Sequence, residues 1–280
     1  LGIVKTMIWL IWTTGILLGG DGSPNLPSGI KLYVLDGGTI DVSDMRSFSS
    51  DGRFDGEQIQ LANPAFLIRH PKGDLLWDTG HADALAGQPD GTRFEEWHNR
   101  LKTPLAGQLA QLGLASNDIE YLALSHLHPD HSGNANRFAG SIFIVNELER
   151  RHMFSKDVKA NFGSAYNALE DSKTLVFQFE HDVFGDGTVV IYHMPGHTPG
   201  SCALLVRLAK TGNVLLSGDL YIHARARQQQ TVPRFTHDQA ALLESRRKFE
   251  ALAKSEKALV VIQHSKPDFE KLPKFPAYLD

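Results

Sequence analysis

"SHLHPDHSGN", residues 125–134, places His126, His128, Asp130 and His131 within six consecutive positions, with Pro129 among them. Imidazole and carboxylate groups are the usual ligands of borderline divalent metals. Pro129 disfavours the helical region at His128 and favours an extended or turn geometry there. The motif is therefore not the helical histidine pair of a zinc protease. In an extended stretch, His126 and His128 fall on one side of the backbone and can meet one ion. Asp130 and His131, beyond the proline, can address a second position. The apolar run "YLAL" (121–124) leads directly into the motif. The ligand-type residues thus stand at the end of a buried strand, where α/β sheets commonly place their sites.

These residues do not complete two metal sites, and the chain offers more of the same chemistry downstream. "MPGHTPGS" (194–201) holds His197 in a stiff, turn-forming context. "LLSGDLYI" (215–222) runs from an apolar stretch through glycine to Asp219, and "VVIQHSKP" (260–267) ends an apolar stretch at His264. Five histidines and two aspartates suit a pair of borderline metals such as zinc, with other divalent ions as alternatives. His70, His81, His98, His152, His181, His193 and His237 lack such a context and read as structural or exposed.

The rest of the chain bounds the function. Its 280 residues are 42% hydrophobic and 21% charged, an ordinary soluble composition. The net charge of -4 and the absence of Lys/Arg runs argue against a nucleic-acid partner. A lone cysteine, Cys202, excludes an intrachain disulfide and a thiolate zinc cluster. Residues 1–22 read as a secretory leader: Lys5, an apolar run from Met7 to Leu18, then Gly19, Gly20 and Gly22. That run is shorter than the roughly 20 residues a membrane span needs. A periplasmic or secreted location is expected, with the cytoplasm as the alternative, and no stable membrane span. Residues 23–280 read as one hydrolase domain, entered through a linker rich in Gly, Pro and Ser.

β-branched and aromatic content places strands at Lys31–Leu35, Ala65–Arg69, Leu75–Asp78, Glu120–Leu124, Ile142–Val145, Val176–Glu180, Val189–His193, Cys202–Leu208, Val214–Ser217 and Leu259–Gln263. Helices are expected at Phe94–Leu101, Pro104–Leu112, Asn146–Met153 and Asp238–Lys254, the last with Thr236 and Gln239 as a capping box. Strands interleaved with helices make a layered α/β domain. Val42–Gln60, opening with "VSDMRSFSSDGRFDGEQ", reads as a long polar loop carrying Met45, Phe48 and Phe54, either functional or a floppy surface loop.

In this order, HxHxDH, PGHTPG, SGD and a terminal strand ending in histidine resemble the metallo-β-lactamase superfamily. "LLWDTG" (75–80) resembles that family's early strand and turn. The resemblance implies a four-layer αββα sandwich with a dinuclear site at one edge of the sheets. "KLYVLDGGTIDVSD" (31–44) and "MPGHTPGSCALLVRL" (194–208) are further similar to the N-acyl-homoserine lactonase, or quorum-quenching, branch. Carried over by motif position, His126, His128 and His197 would bind one zinc ion, Asp130, His131 and His264 the other, and Asp219 would bridge them. Asp78 would orient a histidine. The branch often carries a tyrosine three residues after the bridging aspartate. Here that position is Ile222, with Tyr221 before it and His223 after it, and Tyr221 is the candidate catalytic residue beside Asp130.

The resemblance implies a zinc-dependent hydrolase that opens the lactone ring of an acyl homoserine lactone with a hydroxide shared by two Zn2+. Asp130 would move a proton, and Met45, Phe48 and Phe54 are candidates to line a groove for the acyl tail, with core or exposed positions as the alternatives. The expected partner is the small acyl lactone, with a homodimer as a candidate assembly. The alternatives on the same site are a general lactonase or esterase, a phosphotriesterase and a β-lactamase. A non-enzymatic metal-binding module is the remote one.

Overall fold

The alternation of apolar side chains along the strands dictates how the layers stack. In the computed structural model, which describes residues 29–280, Cys202–Leu208 sends Cys202, Leu204, Val206 and Leu208 to one face and Ala203 and Leu205 to the other. Successive side chains of a strand point to opposite faces, so a strand apolar on both faces must be covered on both. The expected leader at residues 1–22 lies outside the described residues.

The described residues form two sheets. The strands are β1 (Lys31–Val42), β2 (Ile59–His70), β3 (Gly73–Trp77), β4 (Thr92–Phe94), β5 (Trp97–Arg100), β6 (Tyr121–Ala123), β7 (Ile142–Asn146) and β8 (Thr174–Phe177), followed by β9 (Glu180–Asp182), β10 (Val189–His193), β11 (Cys202–Leu208), β12 (Gly212–Leu216), β13 (Leu259–Val261) and β14 (Tyr278–Leu279). The first sheet runs β4-β5-β1-β2-β3-β6-β7-β8, with β14 added on β1; the second runs β13-β12-β11-β10-β9. Phe66, Ile68 and Trp77 of the first sheet meet Leu204, Val206 and Leu216 of the second in the core between them.

Helices close both outer faces. Helix α1 (Leu105–Gln111), the short α2 (Pro129–Ser132), α3 (Glu147–Met153) and α4 (Lys156–Phe162) precede β8, and α5 (Ala224–Gln229), α6 (Gln239–Ser255) and α7 (Lys266–Lys271) follow β12. Leu105, Leu109 and Met153 cover Leu67, Leu76 and Phe143 of the first sheet. Leu242, Phe249 and Ala253 of α6 cover Ala203, Leu205 and Leu215 of the second. The result is the αββα order. No described helix is long and apolar enough to cross a membrane.

Several local expectations change. The stretch expected as a helix from Phe94 to Leu101 is a β-hairpin instead. The spacing of Phe94, Trp97 and Leu101 mimics a helical stripe. However, the long β1 offers an edge that pairs Val42 with Trp97 and Thr39 with Arg100, and Glu95 turns the chain at φ 50°. Helix α6 is capped by Asp238, whose carboxylate accepts from the Ala241 amide at 2.9 Å, rather than by Thr236. Residues 42–58 are not a loose loop. Met45–Phe48 forms a 3-10 turn, and Met45, Phe48 and Phe54 are fully buried against Ile40, Val42, Leu61 and Ile222. They form a core beneath the site instead of the lining of a groove.

Candidate metal centre

Strand direction gathers the site. β3 and β6 are parallel neighbours in the first sheet, and β12 and β13 are parallel neighbours in the second. Their carboxyl ends therefore open toward the same edge, the favoured position for a site in such sheets. Asp78 follows β3, residues 125–131 follow β6, Asp219 follows β12 and His264 follows β13. The turn between β10 and β11 brings His197 to the same edge.

Within the motif, His128 is extended (φ -61°, ψ 152°) and Pro129 begins α2. Proline is suited to that first helical position because the amide it lacks has no helical partner there. The turn swings Asp130 and His131 away from His126 and His128, which makes two clusters. His126 Nε2 lies 2.8 Å from His128 Nδ1, and His197 Nε2 lies 3.1 and 3.0 Å from these two atoms. In the second cluster His131 Nε2 and His264 Nε2 are 3.1 Å apart, and Asp130 Oδ2 is 3.6 and 3.4 Å from them. Asp219 faces both clusters, with Oδ2 3.3 Å from His197 and Oδ1 3.0 Å from His264.

This donor set fits divalent metal ions. Three ring nitrogens in mutual contact cannot all be satisfied by protons, since each ring hydrogen points along one direction and a neutral imidazole has one bare nitrogen. Convergent lone pairs are what a cation requires. The described residues hold three such groups: His126/His128/His197, His126/His131/Asp219 and Asp130/His131/His264.

The opposite ring nitrogens are anchored, which fixes which nitrogen faces inward. His131 Nδ1 is 3.0 Å from Asp78 Oδ2, and His264 Nδ1 is 2.8 Å from the Ala62 carbonyl. Asp78 in turn accepts from the Ser125 amide at 2.6 Å. Charge follows geometry. Burial and the neighbouring His131 hold the pKa of His126 well below its ordinary value. Burial also works against charge on His131, but Asp219, Asp130 and Asp78 outweigh it and raise that pKa well above normal. Burial alone would raise the pKa of Asp219, yet His264, His131, His126 and His197 hold it well below the carboxylate range.

A cleft of about 490 Å³ opens over the clusters. Its metal-side wall includes His128, Asp130, His197 and Asp219, and its apolar wall includes Leu61, Trp97, Phe162, Ile222 and Phe235. Tyr221 is not in it. The ring is fully buried with Phe249, under the Arg246 guanidinium, and its hydroxyl donates to Glu250 Oε1 at 3.1 Å. The backbone at Tyr221 is extended (φ -134°, ψ 122°), so adjacent side chains face opposite ways and Ile222 takes the cleft side. Tyr221 therefore faces away from the cleft, toward Glu250, and is not placed to reach a substrate there.

Two residues escaped sequence reading. Glu149 is buried in α3, where its carboxylate accepts from the Leu127 amide at 2.9 Å, the Thr198 hydroxyl at 2.7 Å and the Gly200 amide at 2.9 Å. It ties the loop carrying His126 and His128 to the turn carrying His197. His81 lines the cleft at 6% exposure. A glutamate in the middle of an expected helix and a histidine after "DTG" carry no local signal of these positions.

Residues 60–264 match the model of the metallo-beta-lactamase superfamily. The chain is 31% identical over 267 residues to the N-acyl homoserine lactonase AttM of Azorhizobium caulinodans, spanning 90% of this chain and 99% of that protein. It is also 31% identical to the N-acyl homoserine lactonase AttM of Rhizobium radiobacter, spanning 89% and 99%. Among solved structures it resembles an N-acyl homoserine lactone hydrolase with the product N-hexanoyl-L-homoserine bound at its catalytic metal centre. That resemblance has a TM-score of 0.75 at 21% identity and covers 89% of this chain and 98% of that one. With its αββα layers and its histidine–aspartate clusters at the sheet edge, the chain belongs to the metallo-beta-lactamase superfamily.

Proposed function

We propose that this protein hydrolyses N-acyl homoserine lactones. In this reading His126, His128 and His197 would hold one zinc ion and Asp130, His131 and His264 a second, with Asp219 facing both groups. The observation that carries the two-ion reading is the orientation of Asp219, whose two oxygens face different histidine clusters. The lactone assignment draws on the activity named for the relatives and on the cleft.

A metal pair in such a site supplies Lewis acidity and a water acidified to near neutral pH. The protein supplies the rest. Asp78 and the Ala62 carbonyl fix the His131 and His264 rings. Asp130 is the least buried ligand carboxylate, with a side chain 23% exposed against 7% for Asp219. It is placed to take the proton of the attacking water and to return it to the ring oxygen once the acyl C–O bond breaks. Water thereby adds across the ester bond and a hydroxy acid leaves. Neither a serine nor a cysteine nucleophile is needed, and Cys202 is buried in β11 with its thiol pKa raised by burial.

The cleft favours a neutral substrate with an apolar tail. Leu61, Trp97, Phe162, Ile222 and Phe235 supply apolar surface, and no Lys or Arg is among the described residues lining it. A phosphate ester or a carboxylate-bearing β-lactam would find no fixed side-chain cation there.

The test is to load the purified protein with zinc, count ions per chain and follow proton release on adding N-hexanoyl homoserine lactone. Close to two ions per chain are expected, with turnover lost in His128→Ala and Asp219→Ala. A protein that holds two ions and leaves the lactone ring closed would overturn the assignment.

A further inference from the structure

β5 carries a residue that its strand does not explain. Asparagine is depleted in strands, yet Asn99 sits within the first sheet, paired with both β4 and β1. It is half-buried, and its side-chain amide makes no hydrogen bond to another described residue. Neither amide atom is sealed from solvent, and the residue lines the cleft.

Register shows which way it faces. Directly opposed residues of an antiparallel pair share a face of the sheet, and neighbours along a strand alternate. Asn99 is opposed by Ile40 on β1, and Trp97 is opposed by Phe94 on β4. All four line the cleft. His98, between Trp97 and Asn99, turns away and bonds the Asp90 carbonyl at 2.6 Å. The row of Asn99 also runs to the metal side. Ile40 pairs with Leu61 on β2, and the next residue, Ala62, holds the His264 ring through its carbonyl. Trp97 and Phe94 lie farther along the same face. That face presents one amide on the row that reaches His264, and two aromatic rings beyond it.

A small polar group set into an apolar wall is how a pocket fixes the orientation of its ligand. An N-acyl homoserine lactone has the matching order: the lactone ring that reacts, then a secondary amide, then the apolar chain. The amide carbonyl loses its water on entry and needs a donor. Outside the histidine–aspartate groups the described lining offers few. The carboxylates of Glu95 and Glu96 only accept, and the Ser47 hydroxyl is given to Glu96 Oε1 at 3.1 Å. His81 Nε2 is buried. The indole of Trp97 is packed on Phe48 and Phe235. We infer that the Asn99 side-chain N–H donates to the acyl carbonyl of the substrate and so selects N-acylated lactones over lactones that lack the amide. The inference rests on the lactonase reading.

The experiment uses the zinc-loaded protein and two lactones of matched length. One is N-hexanoyl homoserine lactone. The other is α-heptyl-γ-butyrolactone, which carries a plain alkyl chain in place of the amide. Wild type, Asn99→Leu and Asn99→Asp are assayed with both, and metal content is measured for each. The preference for the acylated lactone, as a ratio of kcat/KM values, is expected to fall about 10- to 100-fold in Asn99→Leu. The ratio is independent of how much of each variant is folded, so a purely structural loss leaves it unmoved. An ionised aspartate keeps an acceptor and loses the donor, so the ratio of Asn99→Asp should fall at least as far. An unchanged ratio in Asn99→Leu would overturn the inference. A ratio kept in Asn99→Asp would also overturn it, since the group recognised would then be the substrate N–H. A Trp97→Phe variant that loses the preference while Asn99→Leu retains it would give the carbonyl to the indole instead. A fully loaded wild type that opens neither lactone would fail the lactonase reading, and this inference with it. A wild type that opens both, with the same ratio in all three proteins, would fail the inference alone.

Discussion

Thr198 donates its hydroxyl to the buried carboxylate of Glu149 at 2.7 Å, and through this contact helix α3 holds the turn that carries His197. The same carboxylate accepts from the amides of Leu127 and Gly200, both at 2.9 Å. Gly200 has to be glycine here, because a Cβ would stand 2.2 Å from the Glu149 nitrogen. The ligands of one cluster are thus positioned from behind by a single side chain.

Glu149→Ala should therefore weaken both fold and metal site. It strands three buried donors, each worth about 1–3 kcal/mol when left unpaired, so a loss above ~3 kcal/mol is expected. Glu149→Gln opposes one donor with another and should cost less. Thermal unfolding with and without zinc measures both effects. A wild-type melting curve and zinc affinity in Glu149→Ala would remove this tie from the account.

Glu149 also gives a pH dependence with a definite sign. Burial raises its pKa from 4.5 to about 7, against the opposing pull of Thr198, Gly200 and Leu127. Between these values the folded state keeps a proton that the unfolded chain has released. Stability from this group is full below the unfolded pKa and is lost as pH rises through the folded one. The size is on the order of 3 kcal/mol. Denaturant unfolding of the metal-free protein at pH 5 and pH 7 should show wild type losing more stability than Glu149→Gln. Parallel losses would contradict the assignment.

Metal uptake should release protons. In the metal-free fold Asp219, Asp130 and Asp78 overcome the effect of burial and keep His131 charged beyond the ordinary histidine range. A ligand nitrogen has to give up its proton to bind a metal. Calorimetric titration with zinc near neutral pH, repeated in buffers of different ionisation enthalpy, should report proton release. The release should diminish in His131→Ala. A heat of binding that is the same in every buffer would exclude a charged His131 in the empty site.

Tyr221→Phe should keep wild-type turnover within about twofold, because the hydroxyl bonds to Glu250 away from the cleft. Its stability cost should be about 1 kcal/mol. Ile222→Ala, on the cleft side, should instead raise KM for long acyl chains. Steady-state kinetics on both variants decides between the two neighbours. A large fall in kcat for Tyr221→Phe would return the tyrosine to the mechanism.

The residues that converge at the sheet edge were legible because each closes an apolar run or a stiff turn, and a strand end limits where a side chain can go. That logic reached His126, His197, Asp219 and His264. It missed Glu149, whose partners Thr198 and Gly200 lie about fifty residues away. It read Phe94–Leu101 as helix because the pairing edge that makes it a hairpin belongs to β1. It could not choose between groove and core for Phe48 and Phe54, because burial beneath a site and exposure within one call for the same apolar residues. Periodicity reports which side chains seek cover. Contacts between distant segments decide what covers them.

Gly196 packs against α6 with no room for a side chain. It has φ 137°, a region L side chains rarely adopt, and an added Cβ would lie 2.3 Å from both N and Cα of Leu242 in α6. The obstacle is backbone, so no side-chain rotation relieves it. The contact is reinforced by the Asp238 amide, which donates to the Gly196 carbonyl at 2.9 Å. Gly196→Ala must therefore shift α6 or the turn that presents His197. The expected cost is about 3 kcal/mol or more, combining backbone strain with overpacking. Metal binding at the His126, His128 and His197 group should be lost before binding at the Asp130, His131 and His264 group. Gly185→Ala is the control, since that glycine also has positive φ (68°) but nothing within 4 Å of an added Cβ, which leaves strain alone. Zinc counting and thermal unfolding on both variants separate the effects. Two tightly held ions in Gly196→Ala would show that the turn and α6 are not coupled as the contact implies.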